Sequence, residues 1–424
     1  MSTNLYELID ELCPDGVEYR ALWEVCEAKR GFGLSKSIIG SGNTPVILYG
    51  QLYTTYGDYI RKIESFVDKS HVKPKSLIKR NSIVLPISST TKEAVIGKPS
   101  VVKVEGCYLG SDAVQIIPTH AINSDFLMYV MHGYKFVHKK MKCVEGTTIR
   151  HLKVQKLMDI EVPVPPLPVQ AEIVRILDKF TELIATLQKE LELRAKQYSY
   201  YRDLLLSPEH LFEVAGEENV RTVELGEIIT HLRTGLNPRK NFKLNTDDAQ
   251  GYYVTVRELA GKEVRFSDKT DRVNNDALAK IDARSNLQAG DVLFSATGTI
   301  GNTALVREKP SNWNIKEGVY AITPDQEQVI PDYLLFWLHC TDATDQFKKA
   351  SEGGTVQSVS MKKFKLVKIP LPPLPVQREI AQTLDKFDTL VNSLTQGIPA
   401  EIEGRKKQYA YYRDKLLDFK RLEK

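Results

Sequence analysis

Two sets of residues in this 424-residue chain could do chemistry. The first is Pro14-Asp15 followed by Glu27-Ala28-Lys29, a loose P-D…E-x-K arrangement. Two carboxylates and a lysine in that pattern can surround Mg2+ for phosphodiester hydrolysis. The pattern works only across two adjacent strands, whereas Pro14-Asp15-Gly16 has the composition of a turn. The second set can only form hydrogen bonds and ion pairs. Lys69, Lys73, Lys75, Lys79, Arg80 and Lys92 accompany the run Ser88-Ser89-Thr90-Thr91, and Arg233, Arg239, Lys240, Lys243, Arg257 and Arg265 accompany Tyr252-Tyr253. Lys and Arg contact phosphates and release counterions, while Arg, Asn, Gln, Ser and Thr read base edges. An ordinary solvated surface has the same composition, so these charges alone do not select DNA.

Other chemistries lack their residues. There is no G-x-x-x-x-G-K-[ST] loop, no strand-linked G-x-G-x-x-G and no N/D-P-P-Y/F run of the methyltransferase kind. The Gly298-Thr299-Ile300-Gly301 loop carries no lysine to neutralise phosphate and reads as a turn. The eight histidines show no H-x-x-x-H spacing with further ligands, and Cys13, Cys26, Cys107, Cys143 and Cys340 form no C-x-x-C pair. These are expected to be reduced thiols, with neither a disulfide framework nor a zinc site. Charged residues make up 26% and hydrophobic ones 42%, with a net charge of +4, which fits a globular chain of several domains. The N-terminus lacks a signal-peptide layout, and no apolar run approaches the ~20 residues of a membrane span. A cytoplasmic protein is expected, with no covalent chemistry of its own.

The elements that must position these residues occur twice. Val162-Pro163-Val164-Pro165-Pro166-Leu167-Pro168-Val169-Gln170 returns as Ile369-Pro370-Leu371-Pro372-Pro373-Leu374-Pro375-Val376-Gln377. Each copy runs into a Leu-rich charged segment, one ending Gln197-Tyr198-Ser199-Tyr200-Tyr201-Arg202-Asp203, the other Gln408-Tyr409-Ala410-Tyr411-Tyr412-Arg413-Asp414. Upstream, Glu145-Gly146-Thr147-Thr148 matches Glu352-Gly353-Gly354-Thr355, and the strand-like Val114–Pro118 matches Val319–Pro324. Residues 27–110 and 230–315 share only a rhythm of short β-branched runs and turns. Two copies of one large unit, rather than a solenoid, account for this pattern.

Asn81–Ile87 and Gly290–Ser295 read as strands, Gly40–Asn43 and Thr297–Asn302 as loops, and 332–349 as one amphipathic helix. After Pro168 an a/d stripe runs through Ile173, Leu177, Phe180, Ile184, Leu187, Leu191, Tyr198, Tyr201 and Leu205, predicting a helix over about 168–206. The second stripe runs Ile380, Leu384, Phe387, Val391, Leu394, Ile398, Ile402, Arg405, Tyr409, Tyr412, Leu416. The step from Ile398 to Ile402 is a stutter, and Pro399 after Gly397 predicts a kink or break there. The expected fold is α+β: two β-rich α+β globules joined by two long antiparallel coiled-coil helices in pseudo-twofold arrangement. Its expected parts are residues 1–162, a helix over 163–209, residues 210–369, and a helix over 370–424.

The doubled V/I-P-x-P-P-L-P-V-Q-x-E-I…L-D-K-F phrase, each copy followed by Q-Y-x-Y-Y-R-D, resembles the specificity subunit of type I restriction-modification systems over the whole chain. The resemblance implies a prokaryotic, non-catalytic DNA-binding subunit with two target-recognition domains. Each would read one half of a bipartite, asymmetric site, with the helices setting the spacer. It also implies two modification subunits that methylate adenine with S-adenosylmethionine and two ATP- and Mg-dependent restriction subunits. No cofactor is expected in this chain itself. By that analogy the divergent loops reach the major groove. The candidate DNA-binding residues are Gln51, Ser88, Ser89, Thr90, Thr91, Lys92, Thr148 and Arg150 in the first half. In the second they are Arg257, Thr297, Thr299, Asn302, Thr355 and Gln357. Tyr198, Tyr201, Tyr409 and Tyr412 lie on the stripe and are expected in the core. Off-stripe Tyr200, Arg202, Tyr411 and Arg413 are the candidate partner-binding residues. The alternatives are an antirestriction-type or coiled-coil scaffold without DNA readout, or a self-contained nuclease using Asp15, Glu27 and Lys29.

Overall fold

The computed structural model describes residues 3–34, 36–91, 95–239 and 241–423. They form two compact units, one of Met1–Gln188 with Ile402–Lys424, the other of Lys189–Glu401. In the first unit, short β-branched runs between turns build a five-stranded sheet. Its strands are β1 (Cys26–Arg30), β2 (Tyr59–Ile60), β3 (Ile83–Pro86), β5 (Ser100–Val102) and β6 (Ala113–Pro118), in the order β1-β6-β3-β5-β2. Only β2 and β5 pair in parallel. Just past β3, β4 (Ser88–Ser89) joins a different sheet, ordered β7-β8-β4, with β7 (Val144–Glu145) and β8 (Arg150–Leu152). A short helix α1 (Gln51–Thr54) and the pair α2 (Ser124–His132) and α3 (Tyr134–Met141) complete the globule, and α4 (Leu167–Leu205) leaves it. Phe126, Leu127, Met128 and Tyr129 of α2 are fully enclosed in the core.

The second unit repeats this plan with an antiparallel sheet ordered β9-β12-β10-β11, from β9 (Ile229–Thr234), β10 (Val292–Ser295), β11 (Thr303–Leu305) and β12 (Val319–Pro324). The single helix expected over 332–349 is two, α5 (Pro331–Trp337) and α6 (Thr341–Ala350). The chain turns between them so that His339 Nε2 lies 2.6 Å from Thr303 Oγ1. A carboxylate then restarts the helix: Asp203 accepts from the Thr341 N–H at 3.1 Å and from its hydroxyl at 2.6 Å. The first unit has the same device, with the Tyr134 N–H donating to Asp414 at 3.1 Å at the start of α3. The aspartate that ends each Y-Y-R-D phrase is thus a helix cap. After the second Pro-rich phrase come α7 (Leu374–Asn392), which belongs to this unit, and α8 (Ile398–Leu416), most of which belongs to the first.

The prolines of each phrase end a two-stranded ribbon, Tyr19–Ala21 with Glu161–Pro163 or Arg221–Glu224 with Lys368–Leu371. Pro168 and Pro375 then occupy the second helical position, where a missing N–H costs nothing. The glutamine closing each phrase is fully buried. Gln170 accepts from the Asn123 N–H at 2.7 Å and donates to the Pro165 and Ala121 carbonyls at 2.7 and 3.1 Å. Gln377 makes the same three bonds with Ile330, Pro372 and Gln328 at 3.0, 2.8 and 2.8 Å.

Along α4 the stripe is buried at Ile173, Leu177, Leu187 and Tyr198. The helix has 39 residues, about 58 Å at 1.5 Å per residue. In each unit a ring of α4 also stacks on one from the helices that follow the second phrase, Phe180 on Tyr412 of α8 and Tyr201 on Phe387 of α7. The second stripe is broken: α7 stops at Asn392 and α8 starts at Ile398. Gly397 sits against the end of α7, where a Cβ would lie 2.4 Å from the Thr389 carbonyl. Leu394, expected on the seam, falls in this break and is 60% exposed. Tyr201, Tyr409 and Tyr412 are half-buried, so of the four stripe tyrosines only Tyr198 is fully core.

Candidate nucleic-acid interface

In each unit the chain leaves the end of a central strand and lies against the E-G-x-T segment. In the first unit Ser88 pairs with His151 and Ser89 with Arg150. Ser88 is buried; its hydroxyl donates to Asp112 at 2.7 Å and lies 3.0 Å from His151 Nδ1. Its carbonyl accepts from the Tyr53 hydroxyl at 2.9 Å, and burial pushes that phenol up to about 12, keeping it a donor. Ser89 donates to the Thr91 carbonyl and accepts from the Thr91 N–H, which curls Thr90 and Thr91 outward into solvent. Opposite them, Glu145–Ile149 makes a tight loop between β7 and β8. Gly146 has φ +96°, and a Cβ there would sit 2.1 Å from the Ile149 carbonyl. Lys156 and Lys153 anchor the loop on Glu145 at 3.0 and 3.2 Å and hold its carboxyl below the usual range. Thr148 projects into solvent and Arg150 is half-buried.

The second unit has the same construction with different side chains. Thr297 bridges to Ser358, and the Gly298 N–H donates to the Gln357 carbonyl at 2.9 Å. Gly353, at φ +119°, occupies the place of Gly146, and Glu352 pairs with Lys363. The Ile87 N–H donates to the Asp112 carbonyl and the Ala296 N–H to the Gly318 carbonyl, both at 2.8 Å. Gly318 therefore stands where the first unit has Asp112, and both residues have positive φ. A cavity of about 850 Å³ opens beside this loop, lined among others by Arg239, Arg257, Thr297 and Lys316. Arg257 is 54% exposed and held by Asp271 at 2.8 Å and by Thr255 Oγ1 at 3.3 Å.

The candidates separate into frame and face. Gln51 accepts from the Leu48 N–H and donates to Ser65, so its amide is engaged inside the protein. Ser88 and Ser89 are buried, and Asn302 donates to the Val256 carbonyl at 3.2 Å, tying its loop to the Arg257 turn. These four shape the loops; their side chains are not presented outward. Thr90, Thr91, Thr148, Thr297, Thr299 and Thr355 are exposed, as is Gln357, although its amide accepts from the Ser351 hydroxyl at 3.0 Å and donates to the Gly353 carbonyl at 2.9 Å. Lys92, like Lys240, lies outside the described residues. The partner-binding set divides too. Tyr200 and Tyr411 are 64% and 62% exposed. Arg202 and Arg413 have side chains only 16% exposed, beside Asp203 and Asp414 and over the Tyr198 and Tyr409 rings. They hold the capping aspartates in place and are not surface groups.

Sequence reasoning missed Asp112, His151, Tyr53 and Lys316. His151 could have been reached from Arg150 by strand alternation; Asp112 comes close only through the sheet. Arg233, one of the basic residues named beside Tyr252-Tyr253, is held by buried Asp291 at 2.8 Å. As chemistry, the surface offers hydroxyls, amides and basic groups on rigid backbone. Among the described residues no group of three or more His, Cys, Asp or Glu could hold a metal ion. Glu27 pairs with Lys29 at 3.1 Å on β1, and Asp15 sits in a turn, not a strand. Among the described residues no helix is long and apolar enough to cross a membrane.

Residues 14–193 and 217–404 each match the type I restriction modification DNA specificity domain. A Haemophilus influenzae protein named as a type I restriction enzyme specificity subunit is 34% identical over 70% of this chain and 73% of its own length. The specificity subunit of an Escherichia coli type I restriction enzyme is 36% identical over 62% of this chain and 64% of that one. The fold is also that of the specificity subunit crystal structure from M. genitalium, with a TM-score of 0.52 at 16% identity over 95% of this chain and 96% of that one. A chain from a type I system solved for its assembly and conformational transition gives 0.60 at 19% identity, over 95% and 97%.

Proposed function

Because the chain belongs to the type I restriction-modification DNA specificity family, we propose that each of its units reads one half of a bipartite, asymmetric DNA site. Residues 1–162 and 210–369 are the two target-recognition domains, and residues 163–209 and 370–424 supply the helical frame. The frame sets the unread spacer and docks two modification subunits, with Tyr200 and Tyr411 as contacts; two restriction subunits complete the complex. The chain itself is non-catalytic and works with its partners in the prokaryotic cytoplasm. S-adenosylmethionine, ATP and Mg belong to those partners.

The observation that carries this reading is the doubled loop junction. Ser88 faces His151 and Thr297 faces Ser358 on equivalent scaffolds, while the side chains around them differ. One frame holding two unlike sets of donors and acceptors fits two unlike half-sites. The contacts are Thr90, Thr91, Thr148 and Arg150 in one unit and Arg257, Thr297, Thr299, Thr355 and Gln357 in the other. Replacing residues 27–150 by those of another family member tests the assignment. Methylome sequencing should then show one half-site changed and the other kept. A change in both half-sites, or in neither, would sink it.

A further inference from the structure

Ser88 joins two titratable side chains that lie far apart in sequence, Asp112 and His151. A hydroxyl has one proton, and an ionised carboxylate can only accept. The Ser88 proton is therefore directed to Asp112 at 2.7 Å, and Ser88 Oγ faces His151 Nδ1, 3.0 Å away, as an acceptor. That contact places the ring proton on Nδ1. In the neutral imidazole Nε2 is then a bare acceptor. His151 is exposed on β8, beside Arg150 and directly after the Glu145–Ile149 loop, and Nε2 has no partner among the described residues. The second unit has no such chain, since Gly318 replaces Asp112 and Ser358 replaces His151.

We propose that His151, locked by Ser88 and Asp112 as a hydrogen-bond acceptor, selects a base bearing an exocyclic amino group at one position of the half-site read by the first unit. In the major groove only adenine N6 and cytosine N4 offer that donor, whereas guanine and thymine present O6 and O4 acceptors. The inference rests on the proposed DNA reading and adds a residue and a base class to it. Asp112 and Ser88 are positioning residues that act through the tautomer.

Selection from a randomised duplex library by the subunit assembled with its modification partners, at pH 8, tests this. The wild-type complex should return two half-sites, with adenine or cytosine favoured over guanine and thymine on the order of tenfold at one position of the first. His151→Leu should make that position degenerate. Asp112→Gly, a residue suited to the positive φ there, frees the Ser88 proton to turn toward Nδ1. That variant should admit guanine or thymine at the same position while leaving all others unchanged. The second half-site, retained in both variants, reports that the complex is folded. An unaltered consensus in either variant overturns the proposal. A wild-type complex that selects no bipartite consensus overturns instead the DNA reading beneath it.

Discussion

Phe180 stacks on Tyr412 with ring centroids 5.6 Å apart and planes 27° from parallel. The other unit holds the exchanged pair, Tyr201 on Phe387, at 5.7 Å and 19°. Each L-D-K-F phenylalanine thus rests on a tyrosine of the other copy's Y-Y-R-D phrase, so along α4 the partner residues come in reverse sequence order. Both rings of the first pair are half-buried, and an aromatic pair adds about 0.5–1.5 kcal/mol to their area burial. Phe180→Ala should therefore cost about 1–3 kcal/mol. Urea titration of the variant would measure this, and an unchanged midpoint would argue that the stack is incidental.

Gln170 offers a larger effect from a smaller group. Replacing it with methionine keeps the volume but leaves the Asn123 N–H and the Pro165 and Ala121 carbonyls without their partner. Each buried orphan costs about 1–3 kcal/mol. With three orphans at the low end of that range, Gln170→Met should lower stability by about 3 kcal/mol or more, and Gln377→Met should do the same in the other unit.

His339 should make the protein acid-sensitive. Burial, helped by the charge of Arg202, lowers its pKa from 6.5 to about 4. The native state thus refuses a proton that the unfolded chain takes up below about pH 6.5. Stability contributed by the neutral ring is complete above pH 6.5 and is lost as pH falls toward 4, with a slope of at most about 1.4 kcal/mol per pH unit. In His339→Gln, denaturant titrations at pH 5 and 7 should lose this part of the difference.

Arg257 is aimed by Asp271 at 2.8 Å. If it reads a base edge, Arg257→Ala should cost about 1–3 kcal/mol at one position of the second half-site; if it holds phosphate, affinity should fall alike on all sequences and the salt dependence should flatten. Competition binding at two salt concentrations separates the outcomes. No change in either would remove Arg257 from the interface.

The frame was legible because it is periodic and written twice. The a/d stripes located α4 within a residue at each end, and Gly397-Ile398-Pro399 marked the break. The candidate interface was legible only as segments. Ser88–Thr91 come from the family analogy, and Thr148 and Arg150 from their place just outside the repeated scaffold, but their pairing is a property of sheet register. Which of them face outward depends on hydrogen bonds such as Ser89 to Thr91 and Gln51 to Ser65. Nothing in the local sequence reveals that Ser88 is buried, or that Asp112 lies beneath it. The break in the helix expected over 332–349 was missed for a related reason: it lies where His339 meets Thr303 and Asp203 caps Thr341, and both are tertiary contacts.

The three bonds made by Gln170, and the three made by Gln377, all end on main-chain N–H and C=O groups of the globule or the proline hinge. Every amino acid except proline brings the same amide pair to such a junction. The glutamine's share of each globule's attachment therefore dictates a backbone path and almost no residue identity, whereas the hydroxyls of Tyr59 and Tyr129 on Asp178 and the ammonium of Lys262 on Asp385 do depend on the side chain. Mutation can rewrite a globule's surface without loosening the glutamine bonds. A lineage carrying this gene can acquire new target sequences by drift or recombination while the helical frame stays as it is.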